Sequence, residues 1–250
     1  MERAGTSRVV VITGAASGIG QAAALAFADL GDLVVALDVA DLTATSTLAD
    51  GRAGRLVARA MDVTDEAAVG RVVAGIAAEF GGIDVAFNNA GVVGPSAALH
   101  ELPLAAWRRV IDVDLDGVFH CMRHELAIMV ERGQGAIVNT SSTAVHHATP
   151  RRRRRAAAKH GVIGLTRAAA VEYAGAGIRI NAVLPGVVRT PMLEASIGDD
   201  EARRQYFAER SPTGRMAEPA EVAALVVWLC SAEASYVNGA CMVVDGAATV

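Results

Sequence analysis

The stretch Thr13-Gly14-Ala15-Ala16-Ser17-Gly18-Ile19-Gly20 constrains this chain most. It follows the apolar run Val9-Val10-Val11-Ile12 and precedes Gln21-Ala22-Ala23-Ala24-Leu25-Ala26-Phe27-Ala28. The pattern predicts a buried strand, a glycine-rich turn and a helix. Glycines there let the backbone approach a bound phosphate closely. The new helix turns its free N–H groups and the positive end of its dipole toward that phosphate. An ordinary strand-to-helix turn looks the same, so residues beyond this turn must tell the two apart.

Asp32-Leu33-Val34-Val35-Ala36-Leu37-Asp38 predicts a second buried strand ending in a carboxylate. Asp38 lies 18 residues past Gly20, about where a dinucleotide-binding unit places the acid that accepts from ribose hydroxyls. A surface Asp closing a strand is the plainer alternative. An acid at this point repels a 2′-phosphate, and the turn holds no Arg or Lys to attract one. Both features favour NAD over NADP.

Further apolar runs at Arg55 to Met61, Ile83 to Phe87, Ala136 to Ser142, Ile178 to Val183 and Ala240 to Val244 read as strands. Helices are expected from Thr64 or Asp65 to Phe80, Leu104 to Val130, through Lys159 to about Tyr173, and Pro219 to Cys230. Strand and helix alternate with short loops, which predicts a parallel sheet covered on both faces. The 250 residues suit a single dinucleotide-binding domain spanning 1–250, with no internal repeat or long linker. The stretch from Gly186 to Met216 is polar and reads as an irregular lid over a site. With Val93 and Gly94 it is expected to shape an apolar substrate pocket.

Composition excludes several classes. Apolar residues make up 52% of the chain, yet no run approaches the roughly 18 residues of a membrane span. The first strand begins too early to leave room for a signal peptide. Cys121, Cys230 and Cys241 are few and scattered, as free thiols of a reducing cytosol would be. No histidine pairs with them at zinc-like spacing, so no metal is expected. The net charge of −4 argues against a general attraction to nucleic acid. Of 23 cationic side chains only Lys159 is a lysine. A chain that uses arginine everywhere else keeps a single ammonium, which marks Lys159 for a specific task.

Together these motifs resemble the short-chain dehydrogenase/reductase family over nearly the whole chain. The matching residues are Thr13 to Gly20, Asp62-Val63, Asn88-Asn89-Ala90-Gly91, Asn139-Thr140-Ser141-Ser142, Lys159-His160-Gly161, Pro185-Gly186 with Thr190, and Asn238-Gly239 through Val244-Asp245-Gly246. The resemblance implies a doubly wound, Rossmann-type α/β fold with seven parallel strands and helices on both faces. It implies hydride transfer between NAD and a small carbonyl or alcohol substrate. It implies a homo-oligomer, dimer or tetramer. Gly14, Ser17, Gly18, Ile19 and Gly20 would hold the pyrophosphate. Asp38 would hold the adenosine ribose, and Asp62 with Val63 would face the adenine. Asn89, Ala90 and Gly91 would line the cofactor, while Pro185, Gly186 and Thr190 would hold the nicotinamide.

The family's reaction uses a Ser on the substrate oxygen and a Tyr as proton carrier. A Lys four residues after that Tyr lowers its pKa and binds the nicotinamide ribose, and an Asn holds a water behind it. Ser142 and Lys159 match. The tyrosine position is Arg155, and the asparagine position is Asp114. A phenol beside a cation can pass a proton near working pH, whereas a guanidinium keeps its proton. Arg155 can polarise a carbonyl or clamp a carboxylate, and Asp114 can neutralise the Arg155–Lys159 pair. The alternative to an enzyme is a cofactor-binding pseudoenzyme with a structural or regulatory role.

Arg155 ends the run Arg151 to Arg155, after a Thr149-Pro150 helix start. Five consecutive residues cover every face of a helix, so at least one should point inward. A solvated loop, an anionic-substrate or partner site, and a nucleic-acid patch all fit the run. His146 and His147 read as loop residues, with a substitute proton donor as the alternative. Alanine-rich faces at Ala156 to Ala158 and Ala168 to Ala170 suggest burial against a second copy of the chain.

Overall fold

The computed structural model describes residues 7–95, 97–146 and 153–250. The Thr149-Pro150 helix start, His147, Arg151 and Arg152 lie outside the described residues.

The first strand, β1 (Val9–Thr13), is buried along its whole length. Its β-branched residues suit a strand covered on both faces. Helix α1 (Gly18–Asp29) follows the glycine-rich turn. Then come β2 (Leu33–Asp38), α2 (Thr43–Ala49), β3 (Arg55–Ala60), α3 (Glu66–Phe80) and β4 (Val85–Asn88). Asp65 caps α3 by accepting from the Ala68 N–H at 2.9 Å, and Gly81 closes it in the left-handed conformation. After α4 (Leu104–Ile111) and α5 (Gly117–Arg132) come β5 (Gly135–Thr140), α6 (Arg153–Tyr173) and β6 (Ile178–Pro185). The chain closes with α7 (Pro191–Ile197), α8 (Glu201–Ala208), α9 (Pro219–Leu229) and β7 (Cys241–Val244).

All seven strands join one parallel sheet in the order β3-β2-β1-β4-β5-β6-β7. The order reverses between β1 and β4. A crevice opens at such a point outside the carboxyl ends of the strands. Alternate residues of each strand face opposite ways and feed two cores. One core joins Val10, Ile12, Val34 and Val138 to α1 and α9. The other joins Val9, Val11, Val35 and Ile137 to α3, α5 and α6. The second core also holds a polar chain. Asn88 Nδ2 donates to Glu125 Oε2 at 3.0 Å and to Asn139 Oδ1 at 3.1 Å. Asn139 Nδ2 donates to Thr166 Oγ1 at 3.0 Å. All four residues are buried.

Two expectations need correction. The stretch read as an irregular lid contains two helices. Thr190 caps α7 by accepting from the Leu193 N–H, with Pro191 in the first turn. Asp200 caps α8 by accepting from the Arg203 N–H. Both starts were visible as Thr-Pro and Asp-Glu pairs, and general polarity hid them. The long helix from Leu104 is not uniform either. Its α4 and α5 segments are joined by a π-helical turn, Asp112–Asp116, with helical backbone at both junctions. Such a widened turn inserts a residue into the ordinary helical register. Asp114, at its centre, is fully buried.

Among the described residues no helix is long and apolar enough to cross a membrane, and no group of three His, Cys, Asp or Glu is placed to hold a metal.

Candidate active site

A cavity of about 870 Å3 opens at the carboxyl end of the sheet. Its first wall is the glycine-rich turn. Gly18 has φ +58°, a left-handed backbone that glycine takes without strain. Its missing side chain leaves room for Thr190, whose Cγ2 would stand 3.0 Å from a Cβ. Gly20 is tighter still: a Cβ there would meet the Gly14 carbonyl oxygen at 2.1 Å. Gly14, Ser17, Gly18 and Ile19 line the cavity; Gly20 does not and packs the turn from behind. The Ser17 side chain makes no capping hydrogen bond, so the first N–H groups of α1 lack a side-chain acceptor.

Neighbouring strand ends hold this turn in place. Asp38 Oδ2 accepts from the Ala16 N–H at 2.9 Å and Oδ1 from the Ala40 N–H at 3.0 Å. Each carboxylate oxygen has a second acceptor site, which leaves room for hydroxyl donors. Thr13 Oγ1 accepts from the N–H groups of Asn89 and Ala90, and Asn89 Nδ2 donates to the Gly14 carbonyl at 3.2 Å. Asp38, Asp62, Val63, Asn89, Ala90, Gly91, Pro185, Gly186 and Thr190 all line the cavity. An uncapped helix start, a glycine-rich turn of small side chains and an acid ending the second strand together fit a dinucleotide.

The second wall carries Ser142, Arg155 and Lys159. Ser142 Oγ accepts from the Ala144 N–H at 3.2 Å, which fixes the turn after β5. Lys159 is buried; its Nζ donates to the Thr140 carbonyl at 2.8 Å and lies 3.7 Å from Asp114 Oδ2. That second distance makes an ion pair but is too long for a hydrogen bond. Burial pushes the Lys159 ammonium below the usual lysine range. Asp114 opposes the shift, and the nearby Arg155 charge adds to it. Asp114 Oδ1 accepts from the Val92 N–H at 2.7 Å, while Oδ2 has no hydrogen-bond partner. Asp114 therefore stands behind the cavity wall rather than on it. Arg155 is half-buried, and its Nε is buried without a hydrogen-bond partner.

The chain's three tyrosines lie among the described residues, and none lines the cavity. Tyr173 sits 14 residues beyond Lys159 on α6, about 21 Å along the helix. His146 is exposed and does not line the cavity.

Met192, Leu193 and Ser196 of α7 and Phe207 of α8 cover the cavity, with Val92 and Val93 opposite. The sequence points to an apolar pocket, and these side chains supply one part of it. The remainder is charged, because Arg108, Arg109, Arg155 and Arg210 line the same space. Arg108 and Arg109 escaped the sequence reading since they lie on the exposed side of α4, where a cation is ordinary.

A family model described as Enoyl-(Acyl carrier protein) reductase matches residues 14–249. Cis-4-hydroxycyclohexanecarboxylate dehydrogenase of Sinomonas cyclohexanicum is 47% identical over 250 residues, covering 100% of this chain and 99% of the relative. This chain belongs to the short-chain dehydrogenase/reductase family. The crystal structure of levodione reductase superposes with a TM-score of 0.93 at 38% identity, covering 98% of both chains. The structure of ElxO with NADP bound gives a TM-score of 0.92 at 30% identity, covering 97% of this chain and 99% of that one. Members of the family bind nicotinamide cofactors, and both NAD and NADP are compatible with membership.

Proposed function

We propose that this short-chain dehydrogenase/reductase interconverts a small ring-bearing secondary alcohol and its ketone with NAD(H). The observation that carries the reading is the shared cavity, which places Gly14, Ser17, Gly18, Ile19, Asp38, Ser142, Arg155 and Lys159 around one space. The relative from Sinomonas, named for a hydroxycyclohexane acid, supports a ring substrate.

Ser17, Gly18 and Ile19 would meet the pyrophosphate with backbone N–H groups, with Gly14 and Gly20 keeping side chains out of its way. Asp38 would accept from the adenosine ribose hydroxyls, with Asp62 and Val63 beside the adenine. Asn89, Ala90 and Gly91 would line the middle of the cofactor, and Pro185, Gly186 and Thr190 the nicotinamide. When bound, the nicotinamide supplies or accepts the hydride. Ser142 would donate to the substrate oxygen. Arg155 replaces the family's tyrosine and cannot cycle a proton. Lys159, held below the ordinary lysine range by burial, is the remaining proton carrier on this wall, and Asp114 steadies its charge.

The Asp38 carboxylate and the uncharged turn favour NAD(H) over NADP(H) by at least about tenfold, or ~1.4 kcal/mol. Calorimetry with both cofactors checks this, and equal affinities refute the cofactor assignment. NADH oxidation against a panel of ring ketones checks the reaction. Arg155 favours one second reading: a protein that binds NAD but turns over nothing, serving as a structural or regulatory partner. Cofactor affinity without turnover on any carbonyl decides for it.

The protein is also proposed to act as a homo-oligomer. Phe119 on α5 and Val171 on α6 are 46% and 83% exposed, which leaves apolar surface on the helices that the family pairs between subunits. Light scattering should give a mass at least twice the 25.7 kDa of one chain.

A further inference from the structure

The substrate side of the cavity holds more positive charge than its own contacts use. Arg108 and Arg109 stand on the last turn of α4, and Arg155 stands near the start of α6. The two helices pack together, and all three side chains line the cavity. Among the described residues none of the three makes an ion pair, and Arg155 Nε is buried with no acceptor. Asp112 lines the same space without pairing to any of them. Asp114 is engaged by the Val92 N–H and by Lys159.

Guanidinium groups keep their charge at any physiological pH. Three of them, with Lys159 alongside, repel one another around one recess, Arg155 half-buried and Arg108 and Arg109 at its exposed rim. A carboxylate in their midst relieves that repulsion, and a guanidinium offers it two parallel N–H bonds. The phosphates of a dinucleotide do not meet this demand. They belong at the start of α1, which packs on the opposite face of the sheet from α6.

We propose that this recess recognises a carboxylate carried by the substrate, with Arg155 as its anchor and Arg108 and Arg109 beside it. The inference rests on the dehydrogenase reading above and narrows its substrate class. The ring alcohol or ketone is anionic, and the arginine that displaces a tyrosine serves recognition. Of the readings open for the arginine run, this assigns Arg155 to an anionic-substrate site.

Two matched probes test it: 4-oxocyclohexanecarboxylate and its neutral methyl ester. Each is titrated by calorimetry into the protein saturated with NAD+, where no turnover occurs. The acid should bind at least tenfold tighter than the ester, and the margin should shrink as salt is raised. Arg155→Met should bring the acid-to-ester ratio close to one. The double change Arg108→Gln with Arg109→Gln should lower the ratio severalfold, and it carries the test if Arg155→Met fails to fold. Equal binding of acid and ester, no binding of the acid, or a preference that survives in the folded variants overturns the proposal. If neither NAD+ nor NADP+ binds, the dehydrogenase reading fails on that result alone. The same titrations on the cofactor-free protein then decide the carboxylate site separately.

Discussion

The two faces of the sheet are built on different terms. On one side α1 packs on α9, and the buried contacts are almost all between carbon atoms: Ala23, Ala24 and Phe27 against Val222, Ala223 and Val226. On the other, the elements α4 to α6 bury Asp114, Glu125 and Lys159 within a few turns of one another. The first face can hold the phosphate-binding turn rigid because the Cys230 thiol buried in it is pushed up to about 12 and stays neutral at working pH. The second keeps charges out of water, so its stability and its chemistry both depend on how those charges are matched. Shape governs one side and proton balance the other.

The largest effect that separates them is expected from Phe27→Ala, which empties a fully buried site on the α1 and α9 face. It should destabilise the fold by about 3–5 kcal/mol, by the same amount at every pH from 5 to 8. Urea denaturation across that range checks it, and a pH-dependent loss would erase the contrast.

Glu125 gives the complementary result. Burial raises its carboxyl from 4.5 to about 7, and the hydrogen bond from Asn88 only partly offsets that. Between those values the folded protein keeps a proton that the unfolded chain has lost. Stability from this group is therefore full below about pH 4.5 and is lost as the pH rises through about 7. The loss approaches ~3 kcal/mol at pH 8. Glu125→Gln should remove this slope, so the variant gains on the unmodified protein between pH 5 and 8. Parallel denaturation curves for the two proteins would contradict it.

The smallest effect concerns the reaction. Proton transfer by a positioned side chain is typically worth about 10²–10⁴-fold. Arg155→Tyr should recover part of this, about tenfold to a hundredfold with neutral ring ketones. Adding Asp114→Asn should raise the rate again. NADH oxidation by the three proteins side by side measures it. A fast unmodified protein slowed by Arg155→Tyr would give Arg155 a positive part in turnover.

These contrasts were unequally legible in the sequence. The α1 side was plain, because a continuous apolar run, three glycines and an alanine-rich helix each have a narrow structural meaning. All seven strands follow from the same logic, with ends displaced by a residue or two. Lys159 stood out as the one lysine, and the family resemblance put it and Ser142 at the site, where both line the cavity. Asp114 was found by motif too, yet its burial behind the wall depends on a widened turn with no signature in hydrophobic period. The buried chain from Glu125 through Asn88 and Asn139 to Thr166 was unreadable, since it joins four residues from four elements. The two lid helices were readable from their caps, and polarity obscured them. Arg108 and Arg109 gained meaning only when α4 was seen against α6.

The widened turn at Asp112–Asp116 has one more consequence. An extra residue in a helix advances everything beyond it by about 100° around the axis. The rod that starts at Leu104 and ends at Arg132 is thus keyed in two orientations. Its first half offers Arg108 and Arg109 to the cavity, and its second half offers Cys121, Met122 and Met129 to the core. Neither half can roll without the other losing its seat. Deleting a single residue between 112 and 116 would straighten the rod and turn one of the two halves the wrong way.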